Sequence, residues 1–155
     1  MESFVIEGGH TLKGSITPQG AKNEALQILC AVLLTPEVVT IKNIPDIVDV
    51  NKLIGLLRNF GVIVEKLAKG HYRFKAKKVK MDYLSSDQFK LDGKGLRGSI
   101  MLVGPLLARF GKGSIPLPGG DKIGRRRLDT HFDGLVKLGA KFNYNREDSF
   151  YNVQA

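Results

Sequence analysis

The chain has 155 residues, enough for one domain with a real hydrophobic core and too few for two large ones. Its 43% hydrophobic and 25% charged residues are ordinary for a globular protein, no apolar run is long enough to span a bilayer, and one cysteine excludes a disulfide framework or a cysteine-built metal site. Twenty-four Lys and Arg against fifteen Asp and Glu leave a formal charge of +9, which favours anionic partners: nucleic acid, an acidic membrane surface or a phosphorylated small molecule.

From the amino terminus, Thr11 to Pro18 is strand-like, and Gly20-Ala21 leads into an apolar helix from about Lys22 to Leu34. Cys30 lies in the apolar run Leu29-Cys30-Ala31-Val32 and reads as an inert core residue; a reducing, cytoplasmic setting is the expectation. Val38 to Asn43 alternates like a half-buried strand. Pro45-Asp46 starts a helix whose apolar positions Val50, Leu53, Ile54 and Leu57 follow i, i+3, i+4, i+7, and Gly61 ends it as a left-handed cap. Val62 to Leu67 and His71 to Ala76 predict a hairpin across Ala68-Lys69-Gly70.

Lys77 to Gly95 is polar and reads as a connector with a short helical turn. Leu96 to Phe110 predicts a second apolar helix bent at Pro105, where a hydrogen bond is lost. Gly113 to Leu117 is strand-like, Leu128 to Leu138 is an amphipathic helix ended by Gly139, and Ala140 to Tyr144 with Phe150 to Gln154 form a second hairpin. LLRNFGVIVE (56–65) recurs as LVKLGAKFNY (135–144), with Gly61 and Gly139 in matching places. The chain therefore divides into unit one (about 11–76), a connector (about 77–95) and unit two (about 96–155). Each unit is a βαβαββ-like element of an α/β (α+β) fold, with helices covering one face of a small sheet.

Three constellations are candidates for chemistry. Gly20-Ala21-Lys22-Asn23 sits where a helix with an apolar body begins. Free N–H groups, the positive dipole end and the Lys22 charge can hold a phosphate or carboxylate there; the alternative is a solvated first turn. Pro118 to Arg127 holds three glycines, one carboxylate and three consecutive arginines just before a helix. Cations are disfavoured at that end unless an anion lies between, and the guanidinium fork suits phosphate. Asp121, the only carboxylate in that stretch, is either a turn former and ion-pair partner or a proton-transfer group. Leu96-Arg97-Gly98-Ser99 is another polar helix start, with Arg97 either reaching a shared pocket or facing solvent. His131 is a lone helical histidine, a structural residue by default.

GAKNEALQILCAVLL (20–34), LRGSIMLVGPLLARFG (96–111) and PGGDKIGRRRLDTHFDGLVKLGA (118–140) together resemble the enolpyruvyl transferase family, in its UDP-N-acetylglucosamine branch. The shikimate-using branch shares the fold but lacks the Lys-Asn dyad and the PGG-x-x-IG loop. The resemblance implies two similar domains, each of three βαβαββ units with helices inside and sheets outside, an inside-out α/β barrel. The family's chains are nearly three times as long, so it also implies a fragment holding most of one domain and inactive alone.

The implied reaction moves the enolpyruvyl group of phosphoenolpyruvate onto the 3-hydroxyl of UDP-N-acetylglucosamine through a tetrahedral ketal, without metal or organic cofactor. Position by position, the resemblance assigns phosphoenolpyruvate to Lys22, Asn23 and Arg126, and UDP-N-acetylglucosamine to Asn23, Arg97, Arg126, Arg127, Leu128, Asp129 and Thr130. The partners implied are these two small molecules and the remainder of the enzyme, with neither nucleic acid nor membrane. Asp121 takes the place of the general acid that protonates the methylene carbon, where most members have cysteine. A carboxyl of ordinary pKa, about 3.9, is ionised at neutral pH and donates only if the closed site raises it. Without the thiol that fosfomycin alkylates, the resemblance implies insensitivity to that antibiotic.

Two rivals stand beside this reading. A basic nucleic-acid-binding module would use Arg125 to Arg127 on phosphates, but Tyr72, Phe74, Phe142 and Tyr144 fall in two separate hairpins with no stacking motif. A catalytically dead scaffold unit is the other.

Overall fold

An apolar body behind a polar first turn opens the ordered part of the chain. The computed structural model describes residues 3–117, 127–147 and 149–155. Helix α1 (Lys22–Ala31) buries Ala25, Leu26, Leu29 and Cys30, then tightens into a 3-10 turn, Val32–Leu34. Burial pushes the Cys30 thiol far above its ordinary pKa, so it stays protonated and unreactive.

Strand β1 (Val38–Ile41) follows, then α2 (Val48–Asn59), β2 (Ile63–Ala68) and β3 (His71–Lys75). The three strands form an antiparallel sheet in the order β1-β3-β2. After a 3-10 turn (Met81–Ser85), α3 (Asp87–Lys94) and another 3-10 stretch (Arg97–Leu102) come α4 (Val103–Phe110), β4 (Lys112–Pro116), α5 (Asp129–Lys137), β5 (Lys141–Asn145) and β6 (Phe150–Gln154). The second sheet is also antiparallel, in the order β4-β6-β5. Both sheets thus share one plan, in which the last strand lies between the other two. Gly61 (φ 86°) and Gly139 (φ 101°) turn the chain from α2 into β2 and from α5 into β5, in the left-handed region that a side chain resists.

Three expectations need correction. Thr11 to Pro18 is not a strand: residues 3–21 have no regular structure, and Leu12 and Ile16 are 93% and 92% exposed. A strand exists only by exchanging main-chain hydrogen bonds with a neighbour, and none of the described strands pairs with this segment. The second apolar helix is not bent at Pro105. The break lies upstream, where the 3-10 stretch gives way to α4 at Val103, and Pro105 falls in the first turn of α4, where its missing N–H costs little. The connector is more ordered than one turn. Ser86 caps α3 by accepting from the Phe89 N–H at 3.1 Å, and Gly93 packs so tightly that a Cβ there would lie 2.6 Å from Pro116 Cγ.

The core runs continuously through both halves, with Leu29, Leu33, Leu53, Leu57, Phe60, Phe74, Leu106 and Ile115 fully buried. Phe89 of the connector sits between Phe60 of the first half (centroids 5.5 Å apart) and Phe150 of the second (6.1 Å). Arg109 on α4 reaches back and donates to the carbonyls of Leu33 and Ala76, both at 2.9 Å. These contacts fix the helix entrances relative to one another.

Candidate functional site

The sequence delivers two polar helix entrances to neighbouring positions. Leu26, one turn into α1, packs on the 3-10 stretch that begins at Arg97; a Cβ on Gly98 would lie 3.0 Å from Leu26 Cδ1. At the start of α1, Ala21 is extended and offers no side-chain cap, so the first-turn N–H groups remain available as donors. Gly20 makes this entrance possible: a Cβ there would stand 1.9 Å from the carbonyl oxygen of Asn43. The exposed Lys22 reaches Asp49 in the first turn of α2, Nζ to Oδ2 2.5 Å. Asn23 is exposed beside it.

Arg97 enters a separate feature, a cleft of about 450 Å³ that it shares with Arg127, Leu128, Asp129, Phe132 and Tyr151. Phe132, from α5, packs on Phe142 and Tyr151 of the second sheet (centroids 4.6 and 5.0 Å) and makes the apolar floor. Arg127 donates to Asp129 Oδ2 from Nε at 2.8 Å and also from Nη2. That hydrogen bond, with the guanidinium charge, holds the Asp129 carboxyl below the usual carboxylate range, and the same pair raises the Arg127 pKa. Asp129 is the first residue of α5, where a carboxylate is favoured by the helix dipole. Its Oδ1 has no hydrogen-bond partner among the described residues.

Arg97, Arg127, Leu128 and Asp129 are therefore brought together. Lys22 and Asn23 are outside that cleft's lining, on the adjoining helix entrance, and Thr130 is exposed away from it. Asp121 and Arg126 lie outside the described residues. The expectation that the arginine run needs an external anion changes at Arg127, whose counter-charge is Asp129.

Sequence reasoning missed Asp49 and the aromatic floor. Asp49 precedes the apolar stripe of α2, where an acidic first turn looks like routine dipole compensation. The floor was readable only through the β5–β6 register, which sets Tyr144 opposite Tyr151 and Phe142 opposite Val153. Among the described residues no three His, Cys, Asp or Glu side chains gather as metal ligands would.

Comparisons with known proteins fit this arrangement. A UDP-N-acetylglucosamine 1-carboxyvinyltransferase from Bacteroides fragilis is 61% identical over 155 residues, all of this chain and 36% of that protein. One from Porphyromonas gingivalis is 55% identical over the same span and share. The chain thus spans about a third of the length of these curated relatives. The crystal structure of the enolpyruvyl transferase NikO from Streptomyces tendae superposes with a TM-score of 0.66 at 19% identity, covering 96% of this chain and 31% of that one, a likeness of fold. Residues 6–155 match the family described as EPSP synthase (3-phosphoshikimate 1-carboxyvinyltransferase), and the chain belongs to that family.

Proposed function

We propose that this chain is the amino-terminal third of an enzyme that transfers the enolpyruvyl group of phosphoenolpyruvate to the 3-hydroxyl of UDP-N-acetylglucosamine and releases phosphate. The observation that carries the reading is the cleft where Arg97 meets Arg127, Leu128 and Asp129 beside the Lys22 entrance, in a chain 55–61% identical end to end to relatives of that name. The matching strand orders of the two sheets support reading them as two of the three units of one domain, with helices inward and sheets outward.

In this reading UDP-N-acetylglucosamine lies along Arg97 and the segment Arg126 to Thr130, with Asn23 at its reacting sugar. The aromatic floor suits a flat ring laid against it. Phosphoenolpyruvate is held by Lys22, Asn23 and Arg126; the Lys22 and Arg126 charges offset its carboxylate and phosphate, and the Asn23 amide adds hydrogen bonds. Asp121 delivers a proton to the methylene carbon while the sugar hydroxyl adds to the neighbouring carbon. Loss of a proton from the new methyl group then expels phosphate from the tetrahedral ketal and restores the double bond. Neither metal nor organic cofactor takes part. The place is the first committed step of peptidoglycan precursor synthesis, in the cytoplasm; no helix among the described residues is long and apolar enough to cross a membrane.

Phosphate release by the native full-length protein tests this. Release that requires both phosphoenolpyruvate and UDP-N-acetylglucosamine is expected; release with shikimate 3-phosphate in place of the UDP-sugar, or thermal stabilisation by DNA but not by the UDP-sugar, overturns it. Fosfomycin should leave the wild-type protein unlabelled, and Asp121→Cys should gain one alkylated thiol by mass spectrometry.

A further inference from the structure

The larger cavity, about 520 Å³, belongs to neither helix entrance. Strand register builds its floor. Lys112, Gln154 and Lys141 form one row across β4, β6 and β5, and Ser114, Asn152 and Asn143 form the next. Alternation along the strands puts Tyr151 of the arginine cleft on the other face, while Phe142 borders both cavities. The opposite wall is the connector: Met81, Leu84 and Ser85 of the 3-10 turn, and Lys90 of α3. Lys90 holds its ammonium 5.8 Å above the Phe150 ring and 3.5 Å from Asp87, whose side chain is 95% exposed.

The chemistry of the lining is one-sided. Three lysines, four side-chain amides and two hydroxyls face the cavity, while among the described residues no aspartate, glutamate or arginine lines it. Single-sign charge along a cleft with a low-dielectric wall focuses potential on an incoming anion. Ser114 Oγ donates to Asn152 Oδ1 at 2.6 Å, which fixes that amide and leaves its nitrogen as the donor end. Lys112 and Lys141 are two strand spacings apart, roughly 10 Å, and the row at Phe150 lies roughly 13 Å further along the strands.

We propose that this cleft, between the connector and the polar face of the β4–β6–β5 sheet, is a docking groove for an extended acidic peptide segment of a partner protein. Four extended residues match its roughly 13 Å run at ~3.3 Å each. The amides of Asn143 and Gln154 carry acceptors as well as donors, while the Asn152 and Asn145 oxygens already accept from Ser114 Oγ and the Glu147 N–H; this mixture suits a peptide main chain. A phosphate brings acceptors only, and its preferred bidentate partner, arginine, is missing from the lining among the described residues. Lys112 and Lys141, in the row at one end, act as point charges for separate carboxylates. The groove is independent of the enolpyruvyl transfer reading.

The test is fluorescence polarisation of a fluorescein-labelled hexapeptide of alternating glutamate and serine, titrated with the native full-length protein at low salt. Saturable binding is expected. It should weaken by about tenfold or more in Lys112→Gln/Lys141→Gln, whose melting temperature stays that of the parent, and persist in Lys112→Arg/Lys141→Arg and in Arg127→Gln. The proposal is overturned if the hexapeptide does not bind, if a glutamine-for-glutamate peptide binds as well, or if the Gln double variant binds like the parent. Lysine-dependent binding of tripolyphosphate with none of the peptide would overturn it equally, and would make the groove a phosphate site.

Discussion

Lys22 Nζ lies 2.5 Å from Asp49 Oδ2, so the first residue of α1 is tied by charge to the first turn of α2. Both side chains are substantially exposed, at 45% and 33%, which keeps the stability value of the pair below about 1 kcal/mol. Its weight falls instead on where the ammonium stands. On the proposed enolpyruvyl transfer, we expect Asp49→Asn in the native full-length protein to melt within a few degrees of wild type while KM for phosphoenolpyruvate rises several-fold. Steady-state kinetics with each substrate varied in turn check this; an unchanged KM would leave Asp49 with no part in placing Lys22.

Gly20 faces the Asn43 carbonyl too closely for any side chain, with an added Cβ 1.9 Å from the oxygen and 3.2 Å from Pro45 Cδ. Main chain cannot yield as a side chain does, so Gly20→Ala must displace either the α1 entrance or the loop before α2. A loss of about 1–3 kcal/mol in urea unfolding is expected, together, on the proposed function, with weakened phosphoenolpyruvate binding by the full-length protein.

Arg109 donates from one half of the chain to two carbonyls of the other and also stacks against Phe110, its guanidinium carbon 4.9 Å from the ring centroid. Arg109→Ala strips the Leu33 and Ala76 carbonyls of a charged donor in a partly buried place. A destabilisation of about 2–4 kcal/mol is expected by denaturant titration, since hydrogen bonds to charged groups contribute ~1.5–3 kcal/mol each and are not fully additive.

Asp129 sets a pH dependence of known sign. Its folded pKa is depressed by the Arg127 hydrogen bond, so the unfolded state binds the proton more readily. The stabilisation from this pair is complete above the ordinary carboxyl value of about 4 and is lost as pH falls through the folded value. Carbon-detected NMR titration should show Asp129 titrating below the usual carboxylate range, and Arg127→Gln should return it there. The small stability difference between the two proteins at neutral pH should vanish in strong acid.

Local pattern made much of this legible. The period of Val50, Leu53, Ile54 and Leu57 identified α2, and the two hairpins followed from alternation and their glycines. What failed depended on partners distant in sequence. Thr11 to Pro18 carries a strand-like composition, yet a ladder is a property of two segments. Helix α3 was hidden because only Phe89 and Gly93 are buried along it, which gives no apolar stripe to read. At the site, the arginine-bearing entrance could be recognised from residue type and position, whereas Asp49 and the Phe132 floor became meaningful only once helices and sheet were packed.

The ring sequence Phe60, Phe89, Phe150 ties the stretch between the two sheets into both of them. Duplicated modules often trade places through a disposable hinge, but here the hinge itself carries a central aromatic residue of the shared interior. Severing the chain within 77–95 would strand Phe89 with one daughter and leave a hole in the other. Neither daughter should then melt as a cooperative body, and any viable exchange of modules between homologues would have to carry this segment along with both of its neighbours.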